Sequence, residues 1–394
     1  MAIMAQASEG TSRAGRSLSG RFRPELFAVC LMMLNIPAAR TAPADASVNC
    51  VATAPAGQRI SACTTLLANP SLPPAARVAA LDNRGRAFKQ SGAIDKALAD
   101  YADALRLDPS NPLILNNRGV AYQAQNDQMK ALGDYNEAVR LKPDFVLALF
   151  NRATANQALQ DYKAAIVDYG RVIAIDAHHA KALTNRGNSY LALGLTDKAI
   201  ADYDAAIQAD GGLAIAYFNR GFAYRRKGHA EPAIADLTHA IELEPTLASA
   251  YYQRALAYRL LGDTARGLED LNAAIERDKS NARYWNARCW TRATAGDKDK
   301  ALIDCDEAIR LNPGFAPAWE SRAYVHLRQD DAGTALDDNN QALTLNPDSA
   351  EALFGRGMAK RALGDEAGAI GDLRAAAAVR PAIATEMAKI GLGP

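Results

Sequence analysis

The sequence predicts an all-α solenoid of nine 34-residue helix–turn–helix repeats, and three observations carry that prediction. An arginine stands at Arg84, Arg118, Arg152, Arg186, Arg220, Arg254, Arg288, Arg322 and Arg356, each 34 residues from the last with no insertion or deletion. An aspartate follows each arginine sixteen residues on, at Asp100, Asp134, Asp168, Asp202, Asp236, Asp270, Asp304, Asp338 and Asp372. Apolar residues recur at helical spacing on both sides of a turn, as Leu183, Tyr190 and Leu193 and then Ile200, Tyr203 and Ile207 do about Gly194. A fixed period of this length marks an array of supersecondary units, none of which can bury its apolar face alone.

Each unit reads as two antiparallel helices in close approach. Small residues follow the marker arginine on the first helix, among them Gly85, Gly119, Ala153, Gly187 and Gly221, and alanine recurs on the second helix from Ala97 to Ala369, with Gly267 the one exception. At these residues the chain resembles the tetratricopeptide repeat family, and in particular its exported bacterial members with an Asn-Arg-Gly signature. The family's small–aromatic–alanine–aromatic–alanine–proline pattern reads here as Gly119, Tyr122, Ala131, Tyr135, Ala138 and Pro143. Later repeats depart from it, with Leu237, Leu271, Cys305, Asn339 and Leu373 in place of the second-helix tyrosine. The resemblance implies a right-handed superhelix whose first helices line a concave groove that holds a peptide or another protein.

Residues 1–46 differ in composition from the rest of the chain. Arg13, Arg16, Arg21 and Arg23 precede the apolar run LFAVCLMMLNIP (26–37), and Ala44-Asp45-Ala46 offers a small-x-small cleavage site. This is the pattern of a secretory signal peptide. The run is shorter than the roughly 20 apolar residues a spanning helix needs, so no membrane span is expected in the mature chain. The expected location is therefore the periplasm or the extracellular space; a mis-assigned start on a cytoplasmic protein is the alternative, because Asn35 interrupts the apolar run.

Removal of residues 1–46 takes Cys30 and leaves Cys50, Cys63, Cys289 and Cys305, an even number that suits an oxidising compartment. Cys50 and Cys63 lie in a leader, residues 47–77, where ISACTTLLANP (60–70) reads as a solitary second-type helix covering the open end of repeat 1; a bridge between them would pin that cap. Cys289 and Cys305 sit in repeat 7 at equal distances from the turn at Asp297, which places them level on antiparallel helices, either bridged or as two buried thiols. His178-His179 falls in an inter-repeat loop and is read as solvated surface, and no Cys-x-x-Cys or histidine cluster calls for a metal.

The identical arginine and aspartate positions read as an ion-pair ladder that serves the stack, although spacing alone leaves open whether each arginine reaches its own hairpin or the preceding one. Ligand selectivity should then come from what varies. At the positions that the resemblance assigns to the groove stand Phe218, Phe222, Arg225, Tyr252, Arg259, Asn286 and Trp290, followed by Tyr324, Arg328 and Phe354. Aromatic residues and arginines anchor interfaces, which places the binding surface on repeats 5–9. Asn83, Asn117, Asn151, Asn185 and Asn219 precede the marker arginines of the first five repeats, where asparagines in peptide-binding family members contact a ligand backbone. The family's lysine-rich carboxylate clamp is poorly matched, because Asp82 stands where its first lysine is expected.

The array spans residues 78–383 and leaves a short tail, 384–394, in which Ile383, Met387 and Ile390 form an apolar stripe before Gly391. That stripe is meagre cover for the last repeat, so self-association through the C-terminal end is an expectation. At 23% charged and 49% hydrophobic residues with a net charge of +1, composition makes no case for nucleic acid. Neither the leader nor the tail is large enough for a catalytic domain, and no phosphate loop, nucleophile elbow or metal motif occurs; no catalytic residue and no cofactor is expected. The function expected is a non-enzymatic protein- or peptide-binding scaffold in the cell envelope. A homo-oligomeric structural protein and a regulatory subunit of a separate enzyme are the alternatives.

Overall fold

A computed structural model describes residues 49–393, so the expected signal segment, 1–46, lies outside the described residues. Among them, a lone helix α1 (Ala56–Leu67) precedes nine hairpins. These are α2 (Pro74–Gln90) with α3 (Ile94–Leu107), α4 (Pro112–Ala124) with α5 (Gln128–Leu141), α6 (Val146–Ala158) with α7 (Tyr162–Ile175), α8 (Ala180–Ala192) with α9 (Thr196–Ala209), and α10 (Ala214–Arg226) with α11 (Ala230–Leu243). Then come α12 (Ala248–Leu260) with α13 (Thr264–Arg277), α14 (Ala282–Thr294) with α15 (Lys298–Leu311), α16 (Ala316–Leu327) with α17 (Ala332–Leu345), and α18 (Ala350–Ala362) with α19 (Glu366–Val379). A short helix α20 (Ile383–Lys389) closes the chain. First helices of successive repeats, such as α14, α16 and α18, touch one another directly, which puts them on the inner face of the tetratricopeptide-like solenoid.

Each hairpin turn is made by a residue with positive φ at the same register. Six of the nine are glycines, including Gly194 at 75°, but Asn126, Gln160 and Asp330 take φ of 61–64° with a side chain in place. The second helix then starts from an aspartate cap in six repeats; Asp161, for example, accepts from the backbone N–H of Ala164. Packing inside the hairpin explains the small residue after the marker arginine. A Cβ built on Gly85, Gly119 or Gly187 would stand 2.6–2.7 Å from the ring of Tyr101, Tyr135 or Tyr203, each wholly buried on the facing helix. Repeat 7 replaces this glycine–tyrosine contact with a bond, because Cys289 and Cys305 form a disulfide at those two positions. Closing that 16-residue separation constrains the unfolded chain by about 3 kcal/mol.

The ladder question resolves in favour of both partners. In all nine repeats the marker arginine grips the aspartate of its own hairpin bidentately, with Nε to Oδ2 at 2.7–2.9 Å and Nη2 to Oδ1 at 2.6–2.7 Å. The aspartate side chains are 0–9% exposed and the arginines 13–25%. The free Nη1 then reaches back to the preceding second helix, donating to Asn136, Asp204, Thr238, Asn272, Asp306 or Asn340, each sixteen residues before its arginine. The exceptions are Arg118 and Arg186, for which that place is held by Ala102 and Gly170, residues without a side-chain acceptor.

The ends are capped from both sides. Arg84 Nη1 donates to Thr64 Oγ1 of α1, so the lone helix stands in for the second helix of a preceding repeat. The Cys50–Cys63 disulfide ties the leader to this cap, and Asn83 Nδ2 donates to the Cys50 carbonyl. At the other end Ile383 and Met387 of α20 are buried against the last repeats.

A left-handed conformation costs a residue with a Cβ roughly 1 kcal/mol or more. Gln160→Gly should therefore raise the unfolding free energy by about 0.5–1 kcal/mol in chemical denaturation, whereas Asn126→Gly should change it less, since asparagine tolerates this region. Burial alone would raise the Asp372 pKa, but hydrogen bonds from Arg356 and Lys360 outweigh it and leave that pKa depressed. The contribution of a carboxylate with a lowered folded-state pKa is complete above the unfolded value near 4 and is lost as the pH falls through the folded value. Asp372→Asn should therefore be less stable than the natural chain at neutral pH and show a flatter decline in acid, measured by denaturation between pH 2 and 7.

Candidate functional site

The inner face of repeats 6–9 carries a cavity of about 490 Å³. Alternate turns of the first helices supply its walls, with Tyr252 and Arg259 from α12, Asn286 and Trp290 from α14, and Glu320 and Tyr324 from α16. Aromatic pairs stiffen it; Tyr252 packs on Tyr284 with centroids 5.1 Å apart, and Trp290 on Tyr324 at 4.9 Å. These pairs present apolar area at little entropy cost on binding.

Its polar groups are unevenly matched. The Arg259 side chain makes no hydrogen bond or ion pair among the described residues; it is exposed to solvent, and partial desolvation in the concavity lowers its pKa. Arg225, one repeat earlier, is lowered by the same cause and donates Nε to Gln253 Oε1 at 2.8 Å. Glu320 is raised by desolvation, which the hydrogen bond from Ser349 Oγ at 2.6 Å opposes. Asn286 Oδ1 is buried with no partner. The site thus offers an aromatic wall, an unneutralised guanidinium and a carbonyl acceptor.

The C-terminal tail forms one end of this cavity, a role that sequence reasoning missed. Beyond α20 the chain runs across α16, where the Ile390 carbonyl accepts from Tyr324 Oη at 2.6 Å and from Arg328 Nη1 at 3.0 Å, and Met387 and Leu392 join the lining. Tyr324 lines the cavity as expected, with its hydroxyl held by the tail, and the expectations for Arg328 and Phe354 are corrected. Arg328 is engaged by the chain itself, and Phe354, 1% exposed, packs in the core with Ile383 and Met387 instead of facing the groove. Phe218, Phe222 and Arg225 lie upstream of the cavity and do not line it, with Phe222 under the guanidinium of Arg225 at 5.4 Å.

Four of the five asparagines donate inside the chain, Asn83 to the leader and the other three to first helices. Asn117 Nδ2 donates to Asp82, Asn151 to Asn116 and Asn219 to Asn188, at 2.8–2.9 Å, linking consecutive first helices. His179, expected as plain surface, caps α8 by accepting from the Ala182 backbone N–H and stacks on Phe150. Among the described residues no group of three or more His, Cys, Asp or Glu could hold a metal ion, and no helix is long and apolar enough to cross a membrane.

Profiles described as TPR repeat and as tetratricopeptide repeat match residues 85–126, 117–180, 180–211, 214–247, 252–316 and 320–383. The chain belongs to the tetratricopeptide repeat family. No curated protein matches its sequence. Among solved structures, a tetratricopeptide repeat protein from Parabacteroides merdae is 22% identical with a TM-score of 0.51, the alignment covering 63% of this chain and 98% of that one. The APC/C hetero-tetramer Cut9–Hcn1 is 14% identical with a TM-score of 0.53, over 85% and 82% of the two chains. YrrB, described as a TPR protein with an unusual peptide-binding site, is 22% identical with a TM-score of 0.40, over 47% and 95%. At these identities the likeness is one of fold, and the reading of this tetratricopeptide groove rests on its own residues.

Gly391 sits at φ +86°, and a Cβ there would meet Arg328 Nη1. Gly391→Ala should therefore detach the end of the tail from Tyr324 and Arg328. The expected result is faster trimming by carboxypeptidase and increased labelling of Arg328 by an arginine-specific dicarbonyl; unchanged rates for both would show that the tail is not held there.

Proposed function

We propose that the chain is an exported, non-enzymatic scaffold that holds a peptide segment of another protein in the groove of repeats 6–8. The observation that carries this reading is the juxtaposition of Tyr252 and Trp290 with the unpaired Arg259 in one cavity of about 490 Å³. A client segment suited to it places an apolar or aromatic side chain against the two rings and an acidic group near Arg259. The groove is built on rigid helices, so the client brings most of the ordering cost.

Export is supported by the arginine-led apolar run before Ala44-Asp45-Ala46 and by the two disulfides, which persist in oxidising compartments and are rare in the cytosol of mesophiles. Self-association through the C-terminal end stays a competing account, as does assembly into a homo-oligomeric structural element; both would make the contacts array to array.

The test compares the chain from Ser47 to Pro394 with its Tyr252→Ala/Trp290→Ala variant, matched in helical circular dichroism, as baits in an envelope extract. A segment identified on the first bait should bind the variant at least tenfold more weakly, the size expected for loss of aromatic anchors. Equal retention of the same partners by both baits refutes the groove assignment. Absence of any partner together with concentration-dependent size moves the structural account ahead. Secreted chain should begin near Ser47, and an intact residue 1–46 segment on cytoplasmic protein would refute export.

A further inference from the structure

Repeat 1 breaks the pattern at the end of the array farthest from the groove of repeats 6–8. In repeats 2 and 3 the buried tyrosine of the second helix donates to a first-helix glutamine twelve residues earlier, Tyr135 to Gln123 Oε1 at 2.6 Å and Tyr169 to Gln157 Oε1 at 3.1 Å. In repeat 4 Tyr203 donates to Asn188 Oδ1 at 2.7 Å. The residue twelve before Tyr101 is Lys89, whose ammonium is a donor without acceptor capacity. The Tyr101 hydroxyl, wholly buried, is left without a partner.

A second orphan lies beside it. Arg59 of the capping helix is 4% exposed; its Nη1 donates to the Ala52 carbonyl and its Nη2 to Gln90 Oε1, while Nε has no partner. Both residues line a cavity of about 380 Å³ together with Arg86, Lys89 and Asn117. Arg86 and Lys89 make no hydrogen bond or ion pair among the described residues, and desolvation and the charge of Arg86 lower the Lys89 pKa. Two acidic groups lie near the site: Asp82, whose Oδ1 already accepts from Asn117 Nδ2, and Asp100, which is paired bidentately with Arg84. Three cations without a carboxylate partner of their own and two buried unsatisfied donors therefore line one cavity, with Asp82 nearby and Asp100 already neutralised by Arg84. Unsatisfied buried donors are costly, and a charged acceptor is the group that recovers most from them.

We infer that this cavity is an oxyanion site, taking one carboxylate or phosphate group with Lys89 and Arg86 supplying charge and Tyr101 Oη and Arg59 Nε supplying hydrogen bonds. It is distinct from a lysine clamp, since Asp82 holds the position of the first clamp lysine, and it does not depend on the groove of repeats 6–8.

The full chain is titrated with sodium phosphate and, separately, sodium acetate against sodium chloride at constant ionic strength, followed by thermal unfolding and by calorimetry. One of the two anions should raise the unfolding midpoint above that in chloride and bind with one-to-one stoichiometry; phosphate preference assigns a phosphoryl-bearing ligand and acetate preference a carboxylate. Lys89→Gln restores the partner that Tyr135 and Tyr169 possess, so in chloride it should unfold at a higher temperature than the natural chain while binding the anion at least tenfold more weakly. Arg86→Gln, at an exposed side chain, should weaken the anion to a similar degree without raising the midpoint. The assignment is overturned if neither anion differs from chloride, if Lys89→Gln is no more stable in chloride, or if both variants bind as the natural chain does.

Discussion

The interaction on which this structure depends is the bidentate Arg–Asp pair repeated nine times between the two helices of a hairpin. A guanidinium fork and a carboxylate meet in one geometry, so the pair fixes the relative height and rotation of the helices more tightly than apolar contact can. Burial is what makes it matter. An exposed pair contributes little, whereas an aspartate no more than 9% exposed that loses its partner leaves a desolvated charge. The same guanidinium has one nitrogen left over, and in most repeats that nitrogen holds the helix before it. One side chain thus sets the register within a hairpin and, where the preceding helix offers an acceptor, ties it to the next.

With register assigned to the ladder, the other positions are free to vary within the space it leaves. Gly119 and Tyr135 are one solution, small against large; Cys289 and Cys305 are another, replacing packing by a covalent bond between the same two helices. Both keep the helices at a separation that the Arg–Asp pair tolerates. The turn obeys the same logic, with the left-handed backbone retained at Gln160 and Asp330 even where no glycine relieves it.

This division explains what was legible. The hairpins and the level placement of Cys289 and Cys305 follow from period and spacing, because they depend on positions within the repeat. The second reach of each arginine was also written in the chain, in the polar residue sixteen positions before it and in the lapse at Ala102 and Gly170, but that lattice became visible only after geometry had shown that Nη1 was unspent. The binding face was harder. Tyr252, Arg259, Asn286, Trp290 and Tyr324 do come together, whereas Phe354 does not face outward and Arg328 is occupied, because the tail returns to α16 across 62 residues of sequence. A repeat lattice carries no information about a segment that lies outside the lattice. Asn117, Asn151 and Asn219 show a related limit: the period marks their positions, but each already donates its amide N–H to a neighbouring first helix.

Places of chemical interest in such an array are therefore those where a repeated acceptor or donor loses its partner. Tyr101 lacks the amide that Tyr135 and Tyr169 have. That departure is unfavourable for the isolated stack, since an orphaned hydroxyl forgoes hydrogen bonds it had in water. The surrounding repeats, held by intact pairs on either side, carry that cost without losing register. A ligand that supplies the missing partner gains free energy that the fold has left unclaimed, and it does so at a position the lattice has already made rigid. Specificity in this chain then arises by subtraction from a regular pattern, with the ladder providing the regularity that makes a single missing partner into a site.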